Sequence, residues 1–246
     1  MSAKVMAIEG KAVLVTGANR GLGQALVEEA LRRGATRVYA GTRRPLVHPD
    51  ERVTPLSLDV TDPIQVQRAA EKVGSLDILF NNAGLALPDE LSDRAVLERH
   101  LAVNLFGTWG VTNAFLPLLT RTGGAVVNVA SVAAFAAVPV LPAYSISKAA
   151  VLSLSQSLRA LYAGRGVNVH AVMAGPIDTD MVRSLDIPKT SPKAVARGIF
   201  DGVEKGEEEI FPDSMSATMA ESWRTGPAKA LERQNAALVV AAPVAA

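Results

Sequence analysis

One stretch near the start of the chain restricts the fold more than any other. Residues 12–16 form an apolar run of strand length that stops at the glycine-rich sequence Gly17-Ala-Asn-Arg-Gly21-Leu-Gly23. Apolar residues at helical spacing follow at once, at Leu22, Leu26, Ala30 and Leu31. Glycines in this position permit a tight turn and let the backbone approach a pyrophosphate, which would sit at the positive end of the helix. The order strand, glycine loop, helix therefore predicts an α/β fold that binds a dinucleotide.

The length of the chain favours a single domain. It has 246 residues, 49% of them hydrophobic, which is enough for one large core. We expect one domain over residues 1–246, with its core at about 10–212 and a covering segment and tail at 213–246. The formal net charge is +1, so the charge balance gives no reason to expect a nucleic acid or an anionic membrane as partner.

Cysteine and histidine usage argues against a metal site. The chain has no cysteine, which excludes disulfides and thiolate ligands and fits a reducing cytoplasm. Its three histidines, His48, His100 and His170, lack metal-ligand spacing. The N-terminus has no basic segment followed by an apolar stretch, and no window is apolar enough to span a bilayer. We therefore expect a cytoplasmic protein without a metal.

Strand and helix patterns alternate along the rest of the chain. Further strands are predicted at 38–41, 53–59, 76–80, 125–129, 167–173 and 209–211, and helices at about 61–73, 92–119, 144–163 and from 191 onward. Too few residues separate the second and third strands for a crossover helix, so an irregular connection is expected there. The pattern predicts a doubly wound, Rossmann-type parallel sheet of about seven strands, with its ligand site at the carboxyl ends of the strands.

The tip of the second strand indicates which dinucleotide is preferred. In such a site this position faces the adenosine ribose, where an acid would pair with a 2′-hydroxyl and an arginine with a 2′-phosphate. Arg43 and Arg44 follow the strand and no acid does, and Arg20 in the glycine loop adds a positive charge that could reach the same phosphate. The sequence therefore favours NADP(H) over NAD(H).

Three polar residues around the fifth strand suggest proton transfer. Ser131 follows that strand, and Tyr144 and Lys148 stand four apart on the next helix, on one helical face. An ammonium about 4 Å from a phenol favours the phenolate by roughly 4 kcal/mol at an effective dielectric near 20, which is enough to make a tyrosine a working acid or base. Ser131 could add a hydrogen bond to the oxygen on which charge develops.

Taken together, these motifs resemble the classical short-chain dehydrogenase/reductase family over about residues 10–212. The matching residues are Thr16-Gly17-x-x-x-Gly21-x-Gly23, Asn81-Asn82-Ala83-Gly84, Asn104, Ser131 and Tyr144-x-x-x-Lys148. The resemblance implies that Tyr144 is the general acid or base and that Ser131 orients the substrate oxygen. It also implies that Lys148 lowers the pKa of Tyr144 and binds the nicotinamide ribose, and that Asn104 holds a water that relays protons to Lys148.

The resemblance also implies a set of cofactor contacts. Asp59 would meet the adenine amino group, and the Ile177 backbone with the Thr179 hydroxyl would fix the carboxamide. The full set expected at the cofactor is Gly17, Asn19, Arg20, Gly21, Leu22, Gly23, Arg43, Asp59, Val60, Asn82, Ala83, Gly84, Tyr144, Lys148, Ile177 and Thr179.

Three departures from the family pattern stand out. The helix between the second and third strands is missing. Ala174-Gly175-Pro176 stands where the family more often has Pro-Gly. The C-terminal end has a segment bearing methionine and tryptophan in place of a glycine-rich last strand, with a frayed, alanine-rich tail expected after Gly226-Pro227.

The sequence thus predicts an NADP(H)-dependent oxidoreductase that interconverts a ketone or aldehyde and an alcohol. Reduction of an imine or another polarised double bond, and a dinucleotide-sensing protein without chemistry, are the alternatives. We expect an apolar substrate and self-association as a dimer or tetramer through the helices at 92–119 and 144–163. Candidate pocket residues are Phe135, Val138, Val140, Met181, Val182 and Leu185.

Overall fold

A seven-stranded parallel sheet organises the computed structural model, which describes residues 6–183 and 186–241. The strands are β1 (Ala12–Thr16), β2 (Arg37–Thr42), β3 (Val53–Ser57), β4 (Ile78–Asn81), β5 (Ala125–Val129), β6 (Asn168–Val172) and β7 (Glu209–Ile210). Their order across the sheet is β3-β2-β1-β4-β5-β6-β7, and every neighbouring pair is parallel. The predicted doubly wound sheet is confirmed.

Helices cover both faces of the sheet. They are α1 (Gly21–Arg32), α2 (Pro63–Lys72), α3 (Arg94–His100), α4 (Thr108–Thr122), α5 (Pro142–Tyr162), α6 (Pro192–Lys205), α7 (Ser214–Ala217), α8 (Ala220–Thr225) and α9 (Pro227–Ala241). A π-helical segment, Leu101–Gly107, joins α3 to α4. Within the described residues, no helix combines the length and apolar character needed to cross a bilayer.

Alternating side chains of the strands divide the core into two layers. On β1, Val13 and Val15 pack with α1 and α6, whereas Leu14 packs on the opposite face with α2, α4 and α5. Successive side chains of a strand point to opposite faces, so an uninterrupted apolar strand requires cover on both sides. This burial fixes the sheet and leaves the carboxyl ends of its strands free to carry polar residues.

Local sequence signals set where several elements begin. Asp62 accepts hydrogen bonds from the backbone nitrogens of Ile64 and Gln65 and so caps α2, which has Pro63 in its first turn. Ser191 caps α6 in the same way, with Pro192 following. Residues 43–52 contain no helix, so the expected irregular connection between β2 and β3 is confirmed.

The C-terminal segment differs from the prediction of a frayed tail, because Pro227–Ala241 forms the helix α9. Buried ion pairs account for the difference. The Lys229 ammonium lies 2.8 Å from Glu209 of β7, 2.7 Å from Glu208 and 2.9 Å from Glu232. Arg159 of α5 also pairs with Glu209 and Glu232. We call these five side chains the C-terminal ion cluster, and it attaches α9 to α5 and to the edge strand.

Candidate active site

The candidate site lies where the strand order reverses, on the carboxyl side of β1 and β4. Open α/β sheets bind their ligands at such a point. Gly17 follows β1 and Asn82 follows β4, and the two turns touch, because a Cβ atom built on Gly17 would lie 3.0 Å from the Ala83 Cα. The glycine loop and the Asn-Asn-Ala-Gly turn therefore form one surface, as predicted.

The glycine loop has the features that a pyrophosphate requires. Gly17 and Gly21 have φ values of 66° and 55°, in the left-handed region that favours glycine. A Cβ atom on Gly23 would lie 2.0 Å from the Gly17 carbonyl oxygen, so the loop closes only with glycine there. The N-cap side chain of α1 makes no capping hydrogen bond and its first turn has no acidic residue. This helix end can therefore accept an anion, and the residues present fit a dinucleotide.

Thr16 and Asn82 hold the two turns together. The Thr16 hydroxyl accepts hydrogen bonds from the backbone nitrogens of Asn82 and Ala83, each at 3.0 Å. The Asn82 side chain donates to the Thr16 carbonyl at 2.8 Å. Asn82 therefore acts here on the protein backbone, and its neighbours Ala83 and Gly84 form the surface of the turn.

A third turn, after β6, reaches the same surface. Ile177 pairs with Thr190 in an isolated parallel bridge, which holds the turn in place. The Thr179 side chain lies against the glycine loop, since a Cβ atom on Gly21 would lie 3.1 Å from Thr179 Cγ2. Thr179 thus stands beside the N-terminus of α1, and Ile177 lies in the same turn; their contacts with the carboxamide stay a prediction.

Ser131, Tyr144 and Lys148 converge beside these turns. Ser131 is buried at the end of β5, and its hydroxyl donates to the Ala174 carbonyl at 3.2 Å and accepts from the Ala133 backbone nitrogen at 3.1 Å. The buried Lys148 ammonium lies 5.6 Å from the centre of the Tyr144 ring and donates to the Val129 carbonyl at 2.6 Å. Both side chains project from one face of α5, as their spacing predicts.

Burial controls the acidity of this pair. It raises the pKa of Tyr144, while the nearby Ser131 hydroxyl acts in the opposite direction. It lowers the pKa of Lys148 from 10.5 to about 8. The expectation that Lys148 lowers the pKa of Tyr144 is therefore not met in this structure. The ammonium is bonded to a backbone carbonyl, and loss of solvation is the larger effect on the phenol.

Asn104 occupies the middle of the π-helical segment and is almost fully buried. Its side-chain nitrogen donates to the Leu85 carbonyl at 2.9 Å and to the Ser147 hydroxyl at 2.8 Å. Its side-chain oxygen accepts from the Leu85 backbone nitrogen at 2.8 Å. The side chain thus fixes the segment after Gly84 to α5, next to Lys148. Segments of π-helix are frequent at functional sites.

The ends of β2 and β3 carry the residues that were expected on the adenine side of the site. Asp59 is half-buried, and one of its carboxylate oxygens accepts from the backbone and hydroxyl of Thr61. Val60 packs against Gly107, where an added Cβ atom would lie 2.7 Å away. Arg43 is exposed directly after β2, as predicted for a residue that meets a 2′-phosphate.

Arg20 has a partner that the sequence did not reveal. Its guanidinium donates to the Asp180 carboxylate at 3.0 Å, and Asp180 follows the turn that carries Thr179. In this structure Arg20 therefore points across the glycine loop toward the β6 turn, and its contact with a 2′-phosphate stays a prediction. The reason is the nearby carboxylate, which the sequence places 160 residues away.

The expected substrate pocket is only partly supported. Phe135 packs against Trp223 and Phe211 of the C-terminal segment, with ring centres 4.5 and 6.3 Å apart, so it contributes to the core between them. Val140 and Met181 are exposed beside the site. Val138 and Val182 are half-buried, and Leu185 lies outside the described residues.

Some residues of the site were not found from the sequence. Ser147 links Asn104 to the Tyr144 carbonyl, which accepts from its hydroxyl at 2.7 Å. Asp89 accepts from the Ala143 backbone nitrogen at 3.2 Å, at the start of the catalytic helix α5. The contacts of Ser147 with Asn104 and of Asp89 with Ala143 join segments far apart in the chain, so no local spacing signals them.

Comparison with known proteins identifies the class. Residues 11–189 match the family model described as short chain dehydrogenase. The chain therefore belongs to the short-chain dehydrogenase family of oxidoreductases, and the resemblance inferred from its motifs is confirmed.

Individual relatives agree with this assignment. The chain is 35% identical to Oxidoreductase UcpA of Escherichia coli K12 over 193 residues, which cover 72% of this chain and 73% of UcpA. It is 35% identical to Estradiol 17-beta-dehydrogenase 2 of Mus musculus over 200 residues, covering 74% of this chain and 52% of that protein. A short chain dehydrogenase from Burkholderia cenocepacia J2315, solved in complex with NADP, superposes with a TM-score of 0.85. That protein is 37% identical, and the match covers 93% of this chain and 98% of the other.

Proposed function

We propose that this protein is an NADP(H)-dependent oxidoreductase that interconverts a ketone or aldehyde and an alcohol. The observation that carries the proposal is the convergence of Ser131, Tyr144 and Lys148 beside a glycine cradle that fits a dinucleotide. The relative named as an estradiol 17-beta-dehydrogenase supports alcohol–carbonyl chemistry.

Two observations support NADP(H) as the cofactor. Arg43 and Arg44 are exposed at the tip of β2, where they can bind a 2′-phosphate bidentately. The similar dehydrogenase from Burkholderia cenocepacia was solved with NADP. When bound, the cofactor supplies the hydride chemistry, and the protein supplies position and proton transfer.

Tyr144 would donate its proton to the substrate oxygen in the reducing direction and take a proton from the alcohol in the other. Its raised pKa keeps the phenol protonated at neutral pH, which is the form that reduction needs. Ser131 would hold the substrate oxygen. Lys148 has the lower pKa of the pair, so proton transfer from its ammonium to a newly formed phenolate is downhill.

Replacement of Tyr144 by Phe tests this assignment. Tyr144→Phe should abolish carbonyl-dependent NADPH oxidation while the chain still binds NADPH, as followed by quenching of tryptophan fluorescence. Tyr162→Phe is the matched control, because Tyr162 lies at the other end of α5 and its hydroxyl bonds only to Asn113 within the described residues. Full turnover by Tyr144→Phe would refute the assignment. A panel that includes imines as well as carbonyl compounds would separate the two substrate classes.

We also propose that the protein self-associates through the helices that carry the site. Phe106, Trp109, Ile146 and Leu161 are large apolar residues exposed on the π-helical segment, α4 and α5. The edge strand β7 is covered by α9, which the C-terminal ion cluster holds against β7 and one side of α5. Light scattering should give the mass of a dimer for the wild type and that of a monomer for Trp109→Glu, and an unchanged mass would contradict this interface.

A further inference from the structure

Asp213 is a buried carboxylate that the proposed function does not use. It follows β7, and its Oδ2 accepts from the Gly175 backbone nitrogen at 2.8 Å and from the Ser216 hydroxyl at 2.9 Å. Its Oδ1 accepts from the Ser216 backbone nitrogen at 2.9 Å. Only 6% of the residue is exposed. A carboxylate held this tightly by neutral donors has a fixed position and a fixed direction of charge.

Asp213 lies so close to Gly175 that only glycine fits at position 175. A Cβ atom on Gly175 would lie 2.8 Å from Asp213 Oδ1 and 3.2 Å from Met215 Sδ. Any larger residue at this position would push the carboxylate away from the backbone. The close contact with Asp213 therefore requires a glycine at position 175. This glycine lies in the sequence Ala174-Gly175-Pro176, where the chain departs from the usual family pattern.

The Gly175 nitrogen and the Ala174 carbonyl belong to one peptide unit, and that carbonyl contacts the catalytic Ser131. The Ala174 carbonyl accepts from the Ser131 hydroxyl at 3.2 Å and from the Val132 backbone nitrogen at 3.1 Å. The nitrogen of that peptide unit is the Gly175 nitrogen that donates to Asp213. Hydrogen bonds in a chain polarise one another, so a carboxylate on the nitrogen strengthens the carbonyl as an acceptor.

This arrangement fixes the position of the Ser131 oxygen. A hydroxyl has one hydrogen to donate and two lone pairs to accept with. Without a substrate, the Ser131 hydroxyl donates to the Ala174 carbonyl and accepts from the Ala133 backbone nitrogen, so its oxygen is held from both sides. The hydrogen can turn from Ala174 to a substrate oxygen or to the nearby Tyr144 oxygen while the bond from Ala133 keeps the Ser131 oxygen in place.

We propose that Asp213 is a positioning residue that sets the position of the Ser131 side chain through the Ala174–Gly175 peptide. The same peptide begins the turn that carries Ile177 and Thr179, so the C-terminal segment supports both sides of the active site. This inference rests on Ser131 acting as proposed above.

A double-mutant cycle tests the inference. Asp213→Asn keeps the shape of the side chain but replaces one acceptor oxygen by a donor, so either Gly175 or Ser216 loses its bond. We expect kcat for carbonyl reduction to fall roughly tenfold, the size expected for losing a hydrogen bond to a charged group, with a smaller change in the KM of the carbonyl compound. In a Ser131→Ala background the same substitution should lower the remaining kcat less than twofold. Equal losses in both backgrounds would overturn the proposal, because they would mean a general structural role.

A second measurement needs neither cofactor nor turnover. In the wild-type chain, the Gly175 amide should exchange its hydrogen slowly, and Asp213→Asn should accelerate this exchange by about tenfold or more. Glu221→Gln, the same chemical change at an exposed position of α8, should leave exchange and kinetics unchanged. Rapid exchange of the Gly175 amide in the wild type would overturn the proposal even if the variant failed to fold. Absence of NADPH turnover by the wild type would instead count against the proposed function.

Discussion

The Lys148 ammonium lies 5.6 Å from the centre of the Tyr144 ring, within the range of a cation–π contact. Of these two neighbouring groups, the lysine loses its proton at the lower pH, because burial lowers its pKa to about 8. Burial raises the pKa of the tyrosine. In the proposed mechanism the lysine would therefore restore the proton of the tyrosine, and its desolvated charge would lower the stability of the folded state.

Replacement of Lys148 by Met should remove turnover and stabilise the fold. Lowering a pKa from 10.5 to about 8 corresponds to roughly 3 kcal/mol. The folded-state pKa lies below the unfolded value, so this penalty is fully present below pH 8 and disappears as the pH rises toward 10.5. Urea denaturation should therefore show a gain of up to about 3 kcal/mol at pH 7, reduced by the lost bond to Val129, and a smaller gain at pH 10. Lys72→Met, an exposed control, should show no such pH dependence, and an equal gain at both pH values would contradict the prediction.

Arg43 should determine the choice between NADPH and NADH. An exposed guanidinium at the tip of β2 favours the 2′-phosphate, whereas a carboxylate there would favour the free 2′-hydroxyl. Arg43→Asp should lower the ratio of kcat/KM for NADPH to that for NADH by at least tenfold, on the order expected for losing a charged hydrogen bond. Arg37→Ala, at the other end of the same strand, should leave the ratio unchanged. An unaltered ratio in Arg43→Asp would place the 2′-phosphate elsewhere.

The ion pair between Arg20 and Asp180 should slow the release of the cofactor. It joins the glycine loop to the turn after β6 but is exposed, so its effect on stability should stay below about 1 kcal/mol. Arg20→Asp and Asp180→Arg should each increase the NADPH dissociation rate severalfold in stopped-flow displacement, since both open the contact. The double exchange should restore slow release. Arg183→Ala removes only the local partner of Asp180 and should have little effect. Failure of the double exchange to restore the rate would show that the pair does not close the site.

The C-terminal ion cluster should contribute far more to the stability of the fold than the exposed pair between Arg20 and Asp180. Lys229 is 2% exposed and faces three carboxylates, so its removal leaves Arg159 as the one cation of the cluster against all three. Lys229→Met should cost about 3–5 kcal/mol in chemical denaturation. Arg224→Met breaks an exposed pair 3.6 Å long and should change stability by less than about 1 kcal/mol. Similar losses of unfolding free energy in Lys229→Met and Arg224→Met would mean that burial does not strengthen the ion pairs of the cluster.

The sequence predicted the sheet well because its signals are local. Runs of apolar residues gave all seven strands within a few residues, and the shortage of residues between Arg44 and Val53 correctly excluded a helix there. Turn residues at strand ends placed Gly17, Asn82, Ser131 and Thr179 on one edge, since parallel strands share their carboxyl ends.

What the sequence could not predict depends on contacts between distant segments. Arg20 has two targets that are chemically equivalent from the sequence, a phosphate and a carboxylate, and only the fold places Asp180 beside it. The helix α9 was interpreted as a frayed tail because its composition is rich in alanine, whereas Lys229 and Glu232 stabilise it through partners on α5 and β7. The pKa of Tyr144 was predicted to fall because the spacing revealed the lysine but not the degree of burial.

The position of α9 also bears on how the protein matures during synthesis. Of the described elements, it leaves the ribosome last, after every strand has already emerged. Until then Arg159 and Glu209 pair with each other but lack Glu232 and Lys229, the partners that α9 supplies. A nascent chain can thus assemble the sheet while its far edge stays open, and a chaperone or a degradative enzyme would have its best access there before the final helix docks.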